Sequence, residues 1–97
     1  MAKPQIEMYV NSWCSYCEFA RTLLRRKGVE ITEISLEEQP ERRAEMIQRS
    51  GGRHTVPQIF IGERHVGGSD DLYELDDAGE LDALLAGILK DPRNSTQ

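Results

Sequence analysis

Between residues 6 and 27 the hydrophobic pattern changes period once, and that change restricts the fold more than any other feature of the chain. Ile6 to Val10 (I-E-M-Y-V) alternates around a short apolar run, which suits a buried strand. From Ser15 to Lys27, Phe19, Ala20, Leu23 and Leu24 recur at helical spacing. Arg21, Arg25, Arg26 and Lys27 lie towards the end of that segment, where they complement the helix macrodipole, and Gly28 supplies the stop. A strand therefore hands over to a helix within a few residues. Cys14 and Cys17, the only two cysteines among 97 residues, occupy that joint.

The rest of the chain continues the alternation. V-E-I-T-E-I over residues 29–34 has period two and reads as a second strand. Pro40 suits the opening of a helix that runs through Met46 and Ile47 to the Ser50-Gly51-Gly52 break. P-Q-I-F-I, G-E-R and H-V-G-G follow in order and read as two short strands joined by a tight turn, hence antiparallel. Ser69 is the expected cap of a final helical region containing Leu72, Leu75, Leu81, Leu84, Leu85, Ile88 and Leu89, with a break around Ala78-Gly79. The segment 91–97 has no apolar anchor and is expected to be a disordered tail after a single domain of residues 1–90. A βαβ unit followed by a hairpin and a helix implies an α/β domain, one mixed four-stranded sheet flanked by helices on both faces. That outline resembles the thioredoxin-like fold.

Composition narrows the function. A 97-residue chain with 38% hydrophobic content builds one domain. A net charge of -5 argues against a general grip on nucleic acid or anionic membranes. No apolar run approaches the roughly 20 residues that cross a bilayer, and M-A-K-P-Q-I-E lacks the apolar stretch of a secretory signal. A soluble, cytoplasmic protein is the expectation. Two cysteines in such a chain point to redox or metal chemistry rather than to a disulfide framework.

If the helix starts near Ser15, Cys14 sits at its N-terminal edge, where unsatisfied backbone N–H groups and the dipole favour a thiolate nucleophile. Cys17 is three residues on, so its sulfur can approach that of Cys14 while facing the interior, where desolvation keeps it a thiol. That arrangement permits attack on a disulfide, a mixed intermediate and resolution by the internal thiol. The competing reading is a zinc site completed by His54 and His65, but ten residues separate those histidines, outside the usual spacing of about three to five. Trp13 fits either a core or a rim position.

W-C-S-Y-C after a strand, T-V-P at 55–57 and G-G-S-D-D at 67–71, in that order, resemble the glutaredoxin family, closest to small bacterial dithiol members, over about residues 5–90. Thioredoxin, with W-C-G-P-C, matches less well. The resemblance implies a glutathione-dependent disulfide oxidoreductase with Cys14 and Cys17 as catalytic residues. It implies a glutathione groove in which Pro57 is cis and the Val56 backbone pairs with the cysteinyl part, beside Thr55. Backbone N–H groups at Asp70 would hold the γ-glutamyl carboxylate and Asp71 its ammonium. Arg43 would reach the glycyl carboxylate, once Gly51 or Gly52 is counted as an insertion, and Tyr16 would flank the thiol. Without that resemblance Pro57 opens a strand, the two aspartates complement a helix dipole and Arg43 is a solvated charge.

Two residues depart from the family pattern. Asn11 stands where a lysine is common three residues before the first cysteine, and Ser15 stands where proline is common between the cysteines. Some relatives with serine there hold an iron-sulfur cluster through the first cysteine and glutathione across a dimer. The second reading is thus a cluster carrier or sensor, with a 2Fe-2S cluster ligated by Cys14 and glutathione. The expected partners are glutathione and glutathionylated or disulfide-containing proteins, with a monomer unless a cluster is bound.

Overall fold

The computed structural model describes residues 6–89, so the tail expected over 91–97 lies outside the described residues. Four strands form one sheet in the order β2-β1-β3-β4, where β1 is Ile6–Val10, β2 Thr32–Ser35, β3 Gln58–Ile61 and β4 Arg64–Gly67. β1 and β2 are parallel, whereas β1 with β3 and β3 with β4 are antiparallel. The helices are α1 Ser15–Arg26, α2 Arg43–Arg49, α3 Ser69–Asp77 and α4 Glu80–Leu89. The α/β, thioredoxin-like architecture is therefore the one the sequence pattern implies.

The period of two in β1 explains the layering. Ile6, Met8 and Val10 face one core, with Cys17, Ala20, Leu23 and Leu24 of α1, Ile59 and Ile61 of β3, Leu72 of α3 and Leu81 and Leu85 of α4. Tyr9 faces the other, with Ile34, Leu36, Met46 of α2 and Phe60. A strand whose faces are both covered has no solvent side, and successive side chains feed two separate cores. At the rim of the second core the Tyr9 hydroxyl donates to Glu45 and accepts from Arg49 Nη1 at 2.9 Å. Arg49 also reaches Glu7 at 2.9 Å, so the one charged residue of β1 is paired.

Three boundaries differ from the sequence pattern. β2 covers residues 32–35 rather than 29–34: after the left-handed turn at Gly28 (φ 80°), Val29 and Ile31 pack on the α1 core before the chain reaches β1. A 3₁₀ turn at Pro40–Arg42 leads into α2, because proline fixes φ but supplies no N–H. The N-cap of α3 is Gly68 rather than Ser69, which is buried as the first helical residue. Trp13 is 97% exposed, which places it on the rim, and Phe19 stands out from the apolar face of α1 with half its surface in solvent.

Leu24 is fully buried between α1 and the sheet. Leu24→Ala is expected to destabilise the domain by about 2–5 kcal/mol through lost transfer energy and a residual cavity. Trp13→Ala should stay within about 0.5 kcal/mol of wild type. Urea unfolding of both variants checks this, and equal effects would contradict the packing described.

Candidate active site

Cys14 is the N-cap of α1 and sits in extended backbone, so its side chain turns back over the first turn of the helix. Its sulfur accepts a hydrogen bond from the Cys17 backbone N–H at 3.1 Å. That N–H is one of the donors a helix start leaves without an internal partner, and here a sulfur takes the place usually filled by a capping oxygen. The same sulfur lies 3.8 Å from the Val56 carbonyl oxygen, which ties the helix start to the segment preceding β3. Both cysteines are free thiols.

The two thiols differ in surroundings. Cys14 is half-buried at the surface, whereas Cys17 is 1% exposed and belongs to the α1 core. Burial pushes the Cys17 thiol up to about 12, with a further rise from its contact with Cys14. Near neutral pH, Cys17 therefore holds its proton until Cys14 is engaged elsewhere.

Beside Cys14 runs a groove of about 240 Å³. Tyr16 of α1, the loop residues Arg53, Thr55, Val56 and Pro57, and Gly68, Ser69, Asp70 and Asp71 at the start of α3 line it. The Val56–Pro57 bond is cis. Six residues singled out in the sequence, Tyr16, Thr55, Val56, Pro57, Asp70 and Asp71, thus meet on one surface. Arg43 does not line it: Arg43 Nη1 donates instead to the His54 carbonyl at 3.1 Å, just upstream of Thr55.

The α3 end of the groove is built around a backbone that admits no side chain. Gly67 has φ 115°, and a Cβ there would run into the Asp71 carboxyl, with Asp71 Cγ only 2.9 Å away. Gly68 has no side chain with which to cap α3, so Asp71 at the third helical position supplies the reciprocal half, accepting from Gly68 N–H at 2.9 Å. Arg53 Nη1 reaches the same Asp71 oxygen at 3.2 Å. The Gly68 hydrogen bond first, and then Arg53, hold the Asp71 carboxyl below its ordinary range. One carboxylate oxygen thereby carries both contacts, and a carboxylate has acceptor capacity for more.

Arg53, Gly68 and Ser69 are the lining residues that sequence reasoning did not assign to the groove. Arg53 had one available signal, a cation two residues before T-V-P. A second groove of about 480 Å³ shares Tyr16, Ser69 and Asp70 and continues past Phe19 and Tyr73 between α1 and α3. Among the described residues no group of three or more His, Cys, Asp or Glu gathers as a metal set, and His65 Nε2 is 2.7 Å from Gln58.

Comparison with known proteins fits this geometry. The family model described as Glutaredoxin matches residues 6–66. A glutaredoxin of Pseudomonas aeruginosa is 53% identical over 83 residues, covering 86% of this chain and 98% of that protein. The solution structure of glutaredoxin from Brucella melitensis is 56% identical with a TM-score of 0.72, covering 84% of this chain and 87% of that one. A buckwheat glutaredoxin–glutathione complex superposes with a TM-score of 0.78 at 28% identity, covering 86% of this chain and 77% of that one. The dithiol at a helix start beneath a cis-proline loop, the sheet order and these relatives agree that the chain belongs to the glutaredoxin family of thiol-disulfide oxidoreductases.

Proposed function

We propose that the protein is a cytoplasmic, monomeric, glutathione-dependent oxidoreductase whose single domain, residues 1–90, reduces glutathione mixed disulfides and protein disulfides. The observation that carries this reading is the asymmetry of the two thiols beside one groove: Cys14 is accessible and receives a helix N–H, while Cys17 is buried and protonated. Further support comes from the buckwheat relative, which was solved in complex with glutathione. No helix of the described residues is long and apolar enough to cross a membrane.

In the first step the Cys14 thiolate attacks one sulfur of the substrate disulfide. A Cys14 mixed disulfide forms and the other substrate sulfur leaves as a thiolate, which takes up a proton. With a glutathionylated protein, the retained half is glutathione. A second glutathione thiolate then attacks it, releasing the Cys14 thiolate and oxidised glutathione. With a protein disulfide, Cys17 gives up its proton as it attacks Cys14, forming the Cys14–Cys17 disulfide and freeing the client's second thiol. Two glutathiones then return that disulfide to the dithiol.

The groove supplies recognition for the glutathione half. In this reading the Val56 backbone pairs with the cysteinyl unit and Tyr16 packs beside the thiol. The start of α3 at Asp70 offers N–H groups to the γ-glutamyl carboxylate, and the remaining Asp71 acceptor sites take its ammonium. Thr55, with Arg43 behind the loop, faces the glycyl carboxylate, and Asn11 adds no cation there. The neighbouring groove along Phe19 and Tyr73 gives a protein substrate a surface on which to lie. The alternative function, a carrier or sensor of a 2Fe-2S cluster, would use the same accessible Cys14, with glutathione and a second copy of the chain supplying the remaining ligands.

Cys14→Ser is expected to abolish turnover of every disulfide. Cys17→Ser should keep removal of glutathione from a glutathionylated peptide yet lose reduction of an intramolecular protein disulfide. Complete loss in both variants on the glutathionylated peptide would contradict these roles.

Asp71→Ala is expected to raise the apparent KM for glutathione by roughly tenfold, a charge-assisted hydrogen bond discounted for partial exposure. Because the Asp71 pKa is depressed, its contacts are fully present above the ordinary carboxylate value of about 3.9 and are lost only as pH falls through the folded value. The ratio of variant to wild-type KM should therefore be flat from about pH 5 to 8. Steady-state kinetics across that interval check it; a ratio near one throughout would leave Asp71 as a helix cap alone.

A further inference from the structure

One polar side chain in the core has no part in the steps above. Gln58, the first residue of β3, is 0% exposed, and among the described residues it is the one fully buried side-chain amide. A primary amide in that position is costly unless both ends are bonded. Both are: Gln58 Oε1 lies 2.7 Å from His65 Nε2, and Gln58 Nε2 lies 3.2 Å from Thr55 Oγ1. The three side chains form a line from β4 through the core to the groove wall.

The chemistry of an amide makes the two contacts dependent on each other. Its oxygen only accepts and its nitrogen only donates. With Oε1 towards His65, the imidazole carries its proton on Nε2, and the amide nitrogen donates to Thr55. Thr55 Oγ1 has then accepted a hydrogen bond, and its own O–H is left to donate elsewhere, into the groove that Thr55 lines. The reverse order would draw the Thr55 proton inward and present the groove with lone pairs only. His65 is fixed for its role by packing on Phe60, ring centroids 4.9 Å apart, opposite which it stands across the β3–β4 pair. Burial first, and then Arg53, hold its pKa below the ordinary value, so the ring is a neutral imidazole near pH 7.

We propose that His65 and Gln58 form a positioning relay that turns the Thr55 hydroxyl outward as a donor to a carboxylate of the peptide-like substrate, so that two residues with no substrate contact set glutathione affinity. The inference rests on reading the groove as the glutathione site.

A double-mutant cycle tests it. Gln58→Met, Thr55→Val and the double variant are assayed for kcat and for the KM of glutathione with a glutathionylated peptide, and thermal unfolding is recorded for each. Gln58→Met and Thr55→Val should each raise KM about three- to tenfold, the range for one hydrogen bond, with kcat within about twofold. In the double variant the Gln58 change should add nothing to the Thr55 change. His65→Phe keeps a ring packed on Phe60 but removes the N–H that holds Gln58 Oε1, and it should raise KM in the same direction as Gln58→Met. Additive effects in the cycle, or a wild-type KM in His65→Phe, would overturn the relay and leave Gln58 as packing. If Thr55→Val alone keeps the wild-type KM, the placement of the Thr55 hydroxyl at the glutathione falls and the relay falls with it. A raised KM in Thr55→Val with a wild-type KM in Gln58→Met removes the relay only.

Discussion

The contact on which the site depends is the approach of the Cys14 sulfur to the Cys17 N–H on one side and the Val56 carbonyl on the other. The first contact is local, between residues three apart at a helix start. The second joins segments 42 residues apart, and it exists because β1 is paired on both edges. β1 delivers the chain to α1 on one side and, through its antiparallel partner β3, holds the 53–57 loop opposite that same helix end. A shift of β1 by one residue would exchange the two cores, since Ile6, Met8 and Val10 would then face the side now filled by Tyr9. The register of the sheet and the geometry of the thiol are therefore one constraint.

A second constraint lies at the start of α3. Gly67 leaves room for the Asp71 carboxyl and for Arg53, whose Nη1 an ideal Cβ there would approach to 3.0 Å. Asp71 then satisfies the Gly68 N–H while remaining on the groove surface. The same carboxylate caps a helix and offers a negative charge to a substrate. Either account alone explains an acid at that position, and the geometry lets both hold.

The two sides of the sheet have different duties. The α1 core carries Cys17 and sets the redox asymmetry, because an apolar surround disfavours a second thiolate. The α2 side carries the polar connections: Tyr9 with Glu45 and Arg49, and Gln58 with His65 and Thr55. All of these groups find partners within the chain, and among the described residues no buried side-chain polar atom lacks one.

Residues close together in the chain were legible from sequence. The period change between I-E-M-Y-V and the following helix placed Cys14 at a helix start, and the hairpin and the break at Ala78-Gly79 followed from turn residues. β2 was offset because Val29 and Ile31 look like strand residues by alternation yet pack on α1, and pattern alone does not say which neighbour an apolar side chain meets. The family resemblance singled out Arg43 for the groove and left Arg53 without a role. Only the tertiary structure turned Arg53 to Asp71 and Arg43 to the His54 carbonyl, because a long flexible side chain takes whichever acceptor the fold brings within reach. The sequence by itself determined the elements and the dithiol, which depend on spacings of two to four residues. Sheet pairing decided the groove, the burial that separates Cys17 from Cys14, and the line from His65 to Thr55, since each joins side chains whose distance is set by strand register and not by chain position.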